Sequence, residues 1–576
     1  MGLPSVMLAP HAVRRWAGRT PDARAIEHVG GSAISYAELD LSCRRWAGVL
    51  RELGVGALDI VATMLPNGPA AFEVWLGLGW LRAVEAALNP ALKGRLLAAA
   101  MAGSGASVLV TTDASLGAVA AVVADLPELR RVLVVAGDHH AGADVPGAGP
   151  AAEATTALLQ AGVAVTDGRE AHRACAPADD LDGPSYRDVA TLLYTSGTTG
   201  PSKGVLVTWA SVYQTWSWVP ADALGEGEGL YCAFPMFHTS GKSALNAALV
   251  RGARFVWRDR FSADHLWADI RHSNCVAACL VGPMLSYVHS QPPRPADSDN
   301  PLRSVMCGPM IPEVDEFERR FGVRVVTCYS MTEIGTPLAT GWDHGPPATC
   351  GRPRSDYPWT EVRVVNAADE PLPPGAVGEL VVRTSEPWAL NAGYHRLPQQ
   401  SAEAWRNGWF HSGDAFRYDE HGWFYLVDRM SDTIRRRGEN ISSFEVEQAV
   451  MDHPGVVDCA AVGVPAVHGD EEVLVAAEVA DPHHFEPAEL RVWLEPRLPR
   501  HMLPRYVRVV DALPRNQTSL RVQKFRLRAE GVTSTTWEYL SPDPGPGPGP
   551  VPGPVAGSGS PGRIRRKEEA RARHTS

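Results

Sequence analysis

Tyr194-Thr195-Ser196-Gly197-Thr198-Thr199-Gly200-Pro201-Ser202-Lys203-Gly204 gathers five aliphatic hydroxyls, three glycines and one lysine into eleven residues, directly after the apolar run 190–194, ATLLY. A short apolar run of that kind reads as a buried strand. A strand that opens into a Gly/Thr/Ser loop is built to wrap a polyphosphate: glycine lets backbone amides approach the oxygens, hydroxyls donate, and the ammonium neutralises charge. The plainer alternative is a polar turn, which the density of donors disfavours. The stretch is not a Walker A loop, because the Gly197 to Lys203 spacing is wrong and Gly204 follows the lysine. Gly241-Lys242-Ser243 fails the same pattern, since Met236 stands where its first glycine would be. No G-x-G-x-x-G follows a strand in the right context, so a dinucleotide site has little support.

Lys203 is informative because lysine is rare. Of 54 basic residues only Lys93, Lys203, Lys242, Lys524 and Lys567 are lysines, so a retained lysine marks a place where a compact ammonium fits and a guanidinium fork does not. The net charge of the 576 residues is −11; Arg563, Arg565, Arg566, Lys567, Arg571 and Arg573 outnumber Glu568 and Glu569 by four, leaving −15 for the rest. That balance disfavours a general nucleic-acid binder. Nine dispersed cysteines with no C-x-x-C pair read as reduced packing residues rather than zinc ligands or disulfides. Residues 1–20 lack a signal-peptide core and 96–112 is too weakly apolar to span a bilayer, so the expectation is a soluble, cytoplasmic protein with no membrane span.

Length alone predicts three to four folding units. From 34 to about 125, strand-like runs such as 59–65 alternate with helical ones such as 70–81, the βαβ rhythm of a parallel sheet. Residues 142–154 are Gly/Ala/Pro-rich and read as an exposed loop. Residues 362–365 and 379–383 predict antiparallel strands, and 408–428 a β-meander turning at 419–422. Beyond it, a helix over 443–453 stopped by Pro454, strands at 457–464 and 473–479, a helix at 487–496 and a strand at 506–510 make a small α+β unit. The Pro-Gly tract 541–561 cannot build a core. The predicted fold is α/β: a large multi-subdomain N-terminal domain (1–430) of βαβ sheets plus a β-meander, a small mobile α+β C-terminal domain (431–535), and a disordered tail (541–576).

Further motifs follow the loop in order: Phe234-Pro235-Met236-Phe237-His238, Tyr329-Ser330-Met331-Thr332-Glu333, Ser412-Gly413-Asp414, and Asp428-Arg429 with Gly438-Glu439-Asn440-Ile441. Together they resemble the signature set of the adenylate-forming superfamily, over about residues 15–530. The segment 83–94, AVEAALNPALKG, is similar to the crotonobetaine/carnitine-CoA ligase-like branch.

The resemblance implies an ATP-dependent acyl-CoA ligase that activates a small-molecule carboxylic acid as acyl-AMP, releases pyrophosphate, and passes the acyl group to coenzyme A. It implies ATP, Mg2+ and coenzyme A as cofactors. Thr195, Ser196, Gly197, Thr198, Thr199, Gly200 and Lys203 would hold phosphate, and Glu333 would bind Mg2+ while Thr332 donates to the α-phosphate. Tyr329 would pack on adenine near Gly308, Pro309 and Met310. Asp414, lying in a polar turn of the meander, would take the ribose hydroxyls with Arg429 beside it, and His238 would border the acyl group. Gly438, Glu439 and Asn440, after Arg435, Arg436 and Arg437, would meet coenzyme A, with rotation of the small domain about Ser431-Asp432.

One departure is visible: Arg521 stands in the place of the family's adenylation lysine, and Lys524 lies one turn on. Two alternatives stay open: transfer to a carrier-protein phosphopantetheine, whose arm coenzyme A shares, and, because of Arg521, a nucleotide-binding pseudo-enzyme. Pro235 in place of an aspartate disfavours amino-acid substrates, and Trp216 and Trp218 suggest a short or planar acyl group.

Overall fold

The computed structural model describes residues 4–135, 148–195, 203–308, 310–429, 432, 434–436, 439–441, 443–466, 469–515 and 522–539. Ser196, Gly197, Thr198, Thr199, Gly200, Pro309, Gly438, Arg521 and the tail 541–576 lie outside the described residues.

A seven-stranded sheet runs in the order Ala164–Asp167, Arg131–Val135, Val108–Thr112, Ile60–Met64, Val84–Ala87, Val189–Thr195, Lys203–Thr208. Its neighbours are parallel except the last pair, Val189–Thr195 and Lys203–Thr208, which is antiparallel. Val84–Ala87 and Val108–Thr112 are buried at every residue, as expected of strands covered on both faces. The alternation predicted over 34–125 is this sheet and its crossovers, including the helix Pro69–Leu81.

A nine-stranded sheet has six consecutive parallel strands at its heart: Arg24–His28, Arg254–Trp257, Gly229–Cys232, Cys275–Leu280, Ser304–Cys307 and Arg324–Met331. The main apolar core lies between the two sheets, where Trp75 stacks on Trp209 with ring centroids 5.0 Å apart. A third, antiparallel sheet contains Thr360–Val365, Gly378–Thr384, Trp405–Arg406, Trp409–Tyr418 and Phe424–Arg429. The predicted meander is the last two long strands of this sheet. C-terminal to it stand the hairpin Ile434–Arg436/Glu439–Ile441 and a four-stranded sheet with the helices Ser443–Met451, Pro487–Leu494 and Lys524–Glu530.

The loop expected over 142–154 is corrected in its second half, because a helix begins at Ala148 and runs to Gln160. The alanine-rich sequence has high helix propensity, and Pro150 falls in the first turn, where its missing N–H leaves no bond unmade. All nine cysteines are free thiols and eight are buried. Burial pushes the thiols of Cys275 and Cys328 up to about 12 and that of Cys350 to about 11, so they stay protonated packing groups.

One ion pair joins the two large sheets. Lys242, on the helix Thr239–Arg251, is wholly buried; its ammonium pairs with Glu85 of Val84–Ala87 and lies 4.4 Å from the ring centroid of Trp75. Glu85 also accepts from the hydroxyls of Thr63 (2.8 Å) and Thr191 (3.3 Å), so its charge is surrounded by donors. Burial pulls the ammonium's pKa down and Glu85 opposes that pull. Removing one partner strands a buried charge: Lys242→Met is expected to lower stability by about 3–5 kcal/mol. Lys242→Met/Glu85→Gln should recover more than half of that loss, as measured by urea denaturation of both variants against the parent.

Candidate active site

The two strands that flank the phosphate-loop sequence are locked in register, with Thr195 opposite Lys203. A third segment, residues 391–395, lies along the other edge of Lys203–Thr208. The amides of Leu206, Ala392 and His395 bond the carbonyls of Gly393, Leu206 and Gly204 at 3.0, 2.8 and 2.8 Å. This pairing brings the ring of Tyr394 under Lys203, whose ammonium lies 5.0 Å from the ring centroid.

The hydroxyl of Tyr394 donates to Oε1 of Glu333 at 3.2 Å. Glu333 is itself buried, and its carbonyl accepts from the backbone amide (2.9 Å) and the side-chain amide (2.7 Å) of Asn391. Burial and then the Glu333 carboxylate raise the pKa of the Tyr394 phenol, so it remains a protonated donor at neutral pH.

Glu333 lies in the middle of the turn 332–334, which follows Arg324–Met331 and leads into Gly335–Ala339. This turn needs glycine at 335: φ is +62°, and a Cβ there would fall 1.8 Å from Oε1 of Gln214. Gln214 instead accepts from the amide of Thr336 at 2.8 Å and donates to its carbonyl at 3.0 Å, which pins the turn to the helix Trp209–Ser217. One residue before Glu333, the hydroxyl of Thr332 accepts from that of Thr239 at 3.2 Å. Thr239 follows His238, the half-buried residue that caps the helix Thr239–Arg251. Asn67 holds the preceding segment, donating to the Phe234 carbonyl and accepting from the Met236 amide, each at 2.9 Å.

Tyr329 supplies the other arm. Its hydroxyl donates to Oδ2 of Asp414 at 2.7 Å, and its ring meets Phe416 edge-on at 4.8 Å. Asp414 is not in a turn, as the sequence suggested, but within the strand Trp409–Tyr418. Gly413 takes φ +70° beside a register shift and re-aims the chain, and Ser412 Oγ accepts from the Asp414 amide at 3.1 Å. Arg429 lies opposite Asp414 on the neighbouring strand. Gly308 approaches closely at the same wall: a Cβ there would stand 3.0 Å from the Cys328 carbonyl, next to Tyr329.

The structure therefore brings together Lys203, His238, Gly308, Tyr329, Thr332, Glu333 and Asp414, from motifs up to 211 residues apart in sequence. It does not bring Lys524 to them. That ammonium is held by Ser443 Oγ at 2.5 Å and Glu447 Oε1 at 2.8 Å. Glu439 and Asn440 lie on the hairpin, opposite Arg436 and Arg435. Arg436 pairs with Glu472 at 2.5 Å and donates to the Leu503 carbonyl.

Sequence reading missed Tyr394, Asn391 and Asn67. Their signals are short turns, Asn391-Ala392-Gly393-Tyr394 and Pro66-Asn67-Gly68-Pro69, which carry no periodicity. Tyr329→Phe keeps the ring on Phe416 but removes a donor to a buried carboxylate. It is expected to cost about 1–3 kcal/mol in urea denaturation, with no change in the circular-dichroism spectrum of the folded state.

A family model described as AMP-binding enzyme matches residues 13–395, and one described as AMP-binding enzyme C-terminal domain matches 445–519. A feruloyl-CoA synthase from Amycolatopsis sp is 33% identical over 513 residues, covering 87% of this chain and 94% of that protein. A crotonobetaine/carnitine–CoA ligase from Salmonella agona (strain SL483) is 28% identical over 503 residues, covering 85% and 92%.

Among solved structures, the anthranilate CoA ligase AuaEII in complex with anthranoyl-AMP shares the fold at a TM-score of 0.77 and 18% identity, covering 92% of this chain and 98% of that one. The O-succinylbenzoate coenzyme A synthetase from Bacillus subtilis in complex with AMP does so at 0.74 and 23%, covering 90% and 98%. The chain belongs to the AMP-binding enzyme family and is an AMP-forming acid–thiol ligase of its acyl-CoA synthetase branch.

Proposed function

We propose that the acid is short and carries its carboxylate on a planar unsaturated unit, that Glu333 is the Mg2+ ligand, and that the enzyme works in the cytoplasm on free coenzyme A. The names of the two relatives support the first point. Ferulate is a 3-arylpropenoate and crotonobetaine a substituted but-2-enoate, both 2-enoates, although the second name also prints carnitine, a saturated 3-hydroxy acid. The neighbouring indoles of Trp216 and Trp218, 6.1 Å apart and inclined at 31°, are both buried in the main apolar core. Nine unpaired thiols are consistent with a reducing compartment.

The observation that carries the reading is that Lys203 and Glu333 meet on one tyrosine ring. A cation from the phosphate loop and a buried carboxylate, held a ring apart, are the two charges that a polyphosphate and its metal need. One carboxylate beside a phosphate site is a common protein contribution to Mg2+, which takes its remaining ligands from phosphate and water. When bound, Mg2+ supplies charge neutralisation to the polyphosphate.

In the first half-reaction a carboxylate oxygen of the acid attacks the α-phosphorus of ATP. The new O–P bond replaces the bond to the bridging oxygen, and pyrophosphate leaves with that electron pair. Residues 195–200 donate to the phosphates, Lys203 neutralises them, and Thr332 donates to the α-phosphate where charge develops. Asp414, oriented by Tyr329, accepts from the ribose hydroxyls with Arg429 on the neighbouring strand, while Gly308 leaves room for adenine and His238 borders the acid.

In the second half-reaction the sulfur of coenzyme A attacks the acyl carbon. The C–S bond forms, the bond to AMP breaks, and the thiol proton passes to solvent; residues 438–440 hold the coenzyme A arm. Arg521 supplies the adenylation cation, since Lys524 is already bonded to Ser443 and Glu447, and a guanidinium can contact phosphate bidentately.

ATP–pyrophosphate exchange across a panel of 3-arylpropenoic, but-2-enoic, benzoic and saturated medium-chain acids tests these assignments. Exchange should be fastest with the 2-enoic acids. Glu333→Gln and Arg521→Ala should each lower it by about 100-fold or more, and Lys524→Ala by less than about tenfold. Preference for saturated medium-chain acids, or silence of Lys524→Ala with Arg521→Ala active, overturns the corresponding assignment.

A further inference from the structure

We propose that Tyr394 is a positioning residue that keeps Lys203 and Glu333 from pairing with each other while holding both toward the nucleotide. The inference rests on the roles proposed above for those two residues and goes beyond them.

Opposite charges that must both face a substrate have a hazard in its absence: they neutralise each other, and binding must then first break their ion pair. At the edge of a protein interior such a pair is held strongly. Here a neutral ring stands between the two. Its face takes the Lys203 ammonium at 5.0 Å, a cation–π contact strong enough to orient a flexible side chain and weak enough to release it to phosphate. Its edge donates to Glu333 Oε1 at 3.2 Å, fixing one carboxylate oxygen through a neutral donor rather than a charge.

The ring itself has little freedom. Tyr394 is 9% exposed. Its amide donates to Ser401 Oγ at 2.8 Å, and Val205 forms a β-bridge with it. The next residue, His395, is anchored to the Gly204 carbonyl through its amide and to the Ser104 carbonyl through its ring, at 2.8 and 3.2 Å. On the other side, Asn391 ties the same segment to the Glu333 carbonyl by two bonds and turns it by accepting from the Gly393 amide at 2.7 Å. The backbone that carries the tyrosine is thus bonded to the lysine's own strand and to the glutamate's own peptide. A shift of either charged residue moves the ring, and the ring holds the distance between them.

The two functions of the side chain separate by substitution. Tyr394→Phe keeps the ring, the spacing and the cation–π contact and loses the bond to Glu333. Tyr394→Leu loses both and lets Lys203 reach Glu333. Titration calorimetry of ATP into the full-length enzyme without any acid, with and without Mg2+, reads binding independently of turnover. For the parent, Mg2+ should tighten ATP binding.

Tyr394→Phe should lose that gain by about fivefold to tenfold while metal-free ATP binds within about twofold of the parent, and Tyr394→Leu should weaken both. In the Leu background, adding Glu333→Gln should restore metal-free ATP affinity, because it frees Lys203; a purely structural role for the ring gives no such rescue. Tyr394→Phe matching the parent in both titrations, or no rescue in Tyr394→Leu/Glu333→Gln, overturns the inference. Lys203→Met and Glu333→Gln serve as controls. If neither alters ATP or Mg2+ dependence, the site reading falls and the inference with it; if both do and the tyrosine variants do not, only the inference falls.

Discussion

A lysine with no exposed surface sits between the two large sheets, and its ion pair with Glu85 decides how they meet. Lys242 belongs to the helix that follows His238, and Glu85 to a central strand of the other sheet. A charge in that position can be accommodated only where its counter-ion is, so the pair admits one arrangement of helix on strand where an apolar contact would tolerate several. Buried pairs contribute little net stability and more to uniqueness of fold in several well-studied systems. The hydroxyls of Thr63 and Thr191 complete the coordination of Glu85 from the two strands flanking its own, so the register of three strands is tied to one ammonium. The consequence for the site is direct: the N-terminal end of the same helix presents Thr239, next to His238, to Thr332.

The third sheet reaches the site by a different route. Tyr394 and Asn391 come from the segment between Gly378–Thr384 and Trp405–Arg406, which leaves its own sheet to lie along Lys203–Thr208. Tyr329 crosses the other way, from the nine-stranded sheet to Asp414 in the antiparallel one. The site is therefore a junction of three sheets, each stitched to another by a tyrosine that uses its ring for packing and its hydroxyl for a buried carboxylate. Tyrosine suits this place because its apolar body satisfies a core while its polar tip keeps a carboxylate from being buried without a donor.

Much of this was legible in the residues. The strand entering the Gly/Thr/Ser loop, the βαβ alternation over 34–125, the antiparallel pair 362–365 with 379–383, and the small α+β unit all follow from periodicity and turn chemistry, and each stands in the structure. Ala148–Gln160 was not, because Gly and Pro nearby mask a helix whose alanines pack only in context. Asp414 was assigned its chemistry but not its backbone: Ser412-Gly413-Asp414 reads as a turn, yet Gly413 marks an irregularity inside a long strand. Arg436 was read as one of three arginines that would meet coenzyme A phosphates; its pairing with Glu472 was not legible, because Glu472 lies on a strand that only tertiary structure brings near. Tyr394 was invisible for a related reason. Its two partners lie 191 and 61 residues away, and nothing local distinguishes a tyrosine that bridges charges from one that packs.

The scarcity of lysine connects these observations. Four lysines fall within the described residues, and three make close contacts: Lys203 on the ring of Tyr394, Lys242 between Trp75 and Glu85, and Lys524 between Ser443 and Glu447. Each is a setting where a compact charge is met from a narrow range of directions. A guanidinium at 242 would need space for a planar group with five donors in a cavity that offers one carboxylate and one ring face, and its remaining donors would be buried unbonded. Elsewhere the chain uses arginine, as in the bidentate pairs of Arg82 with Asp188 and Arg383 with Glu361. The choice between the two cations thus tracks the geometry of what they touch.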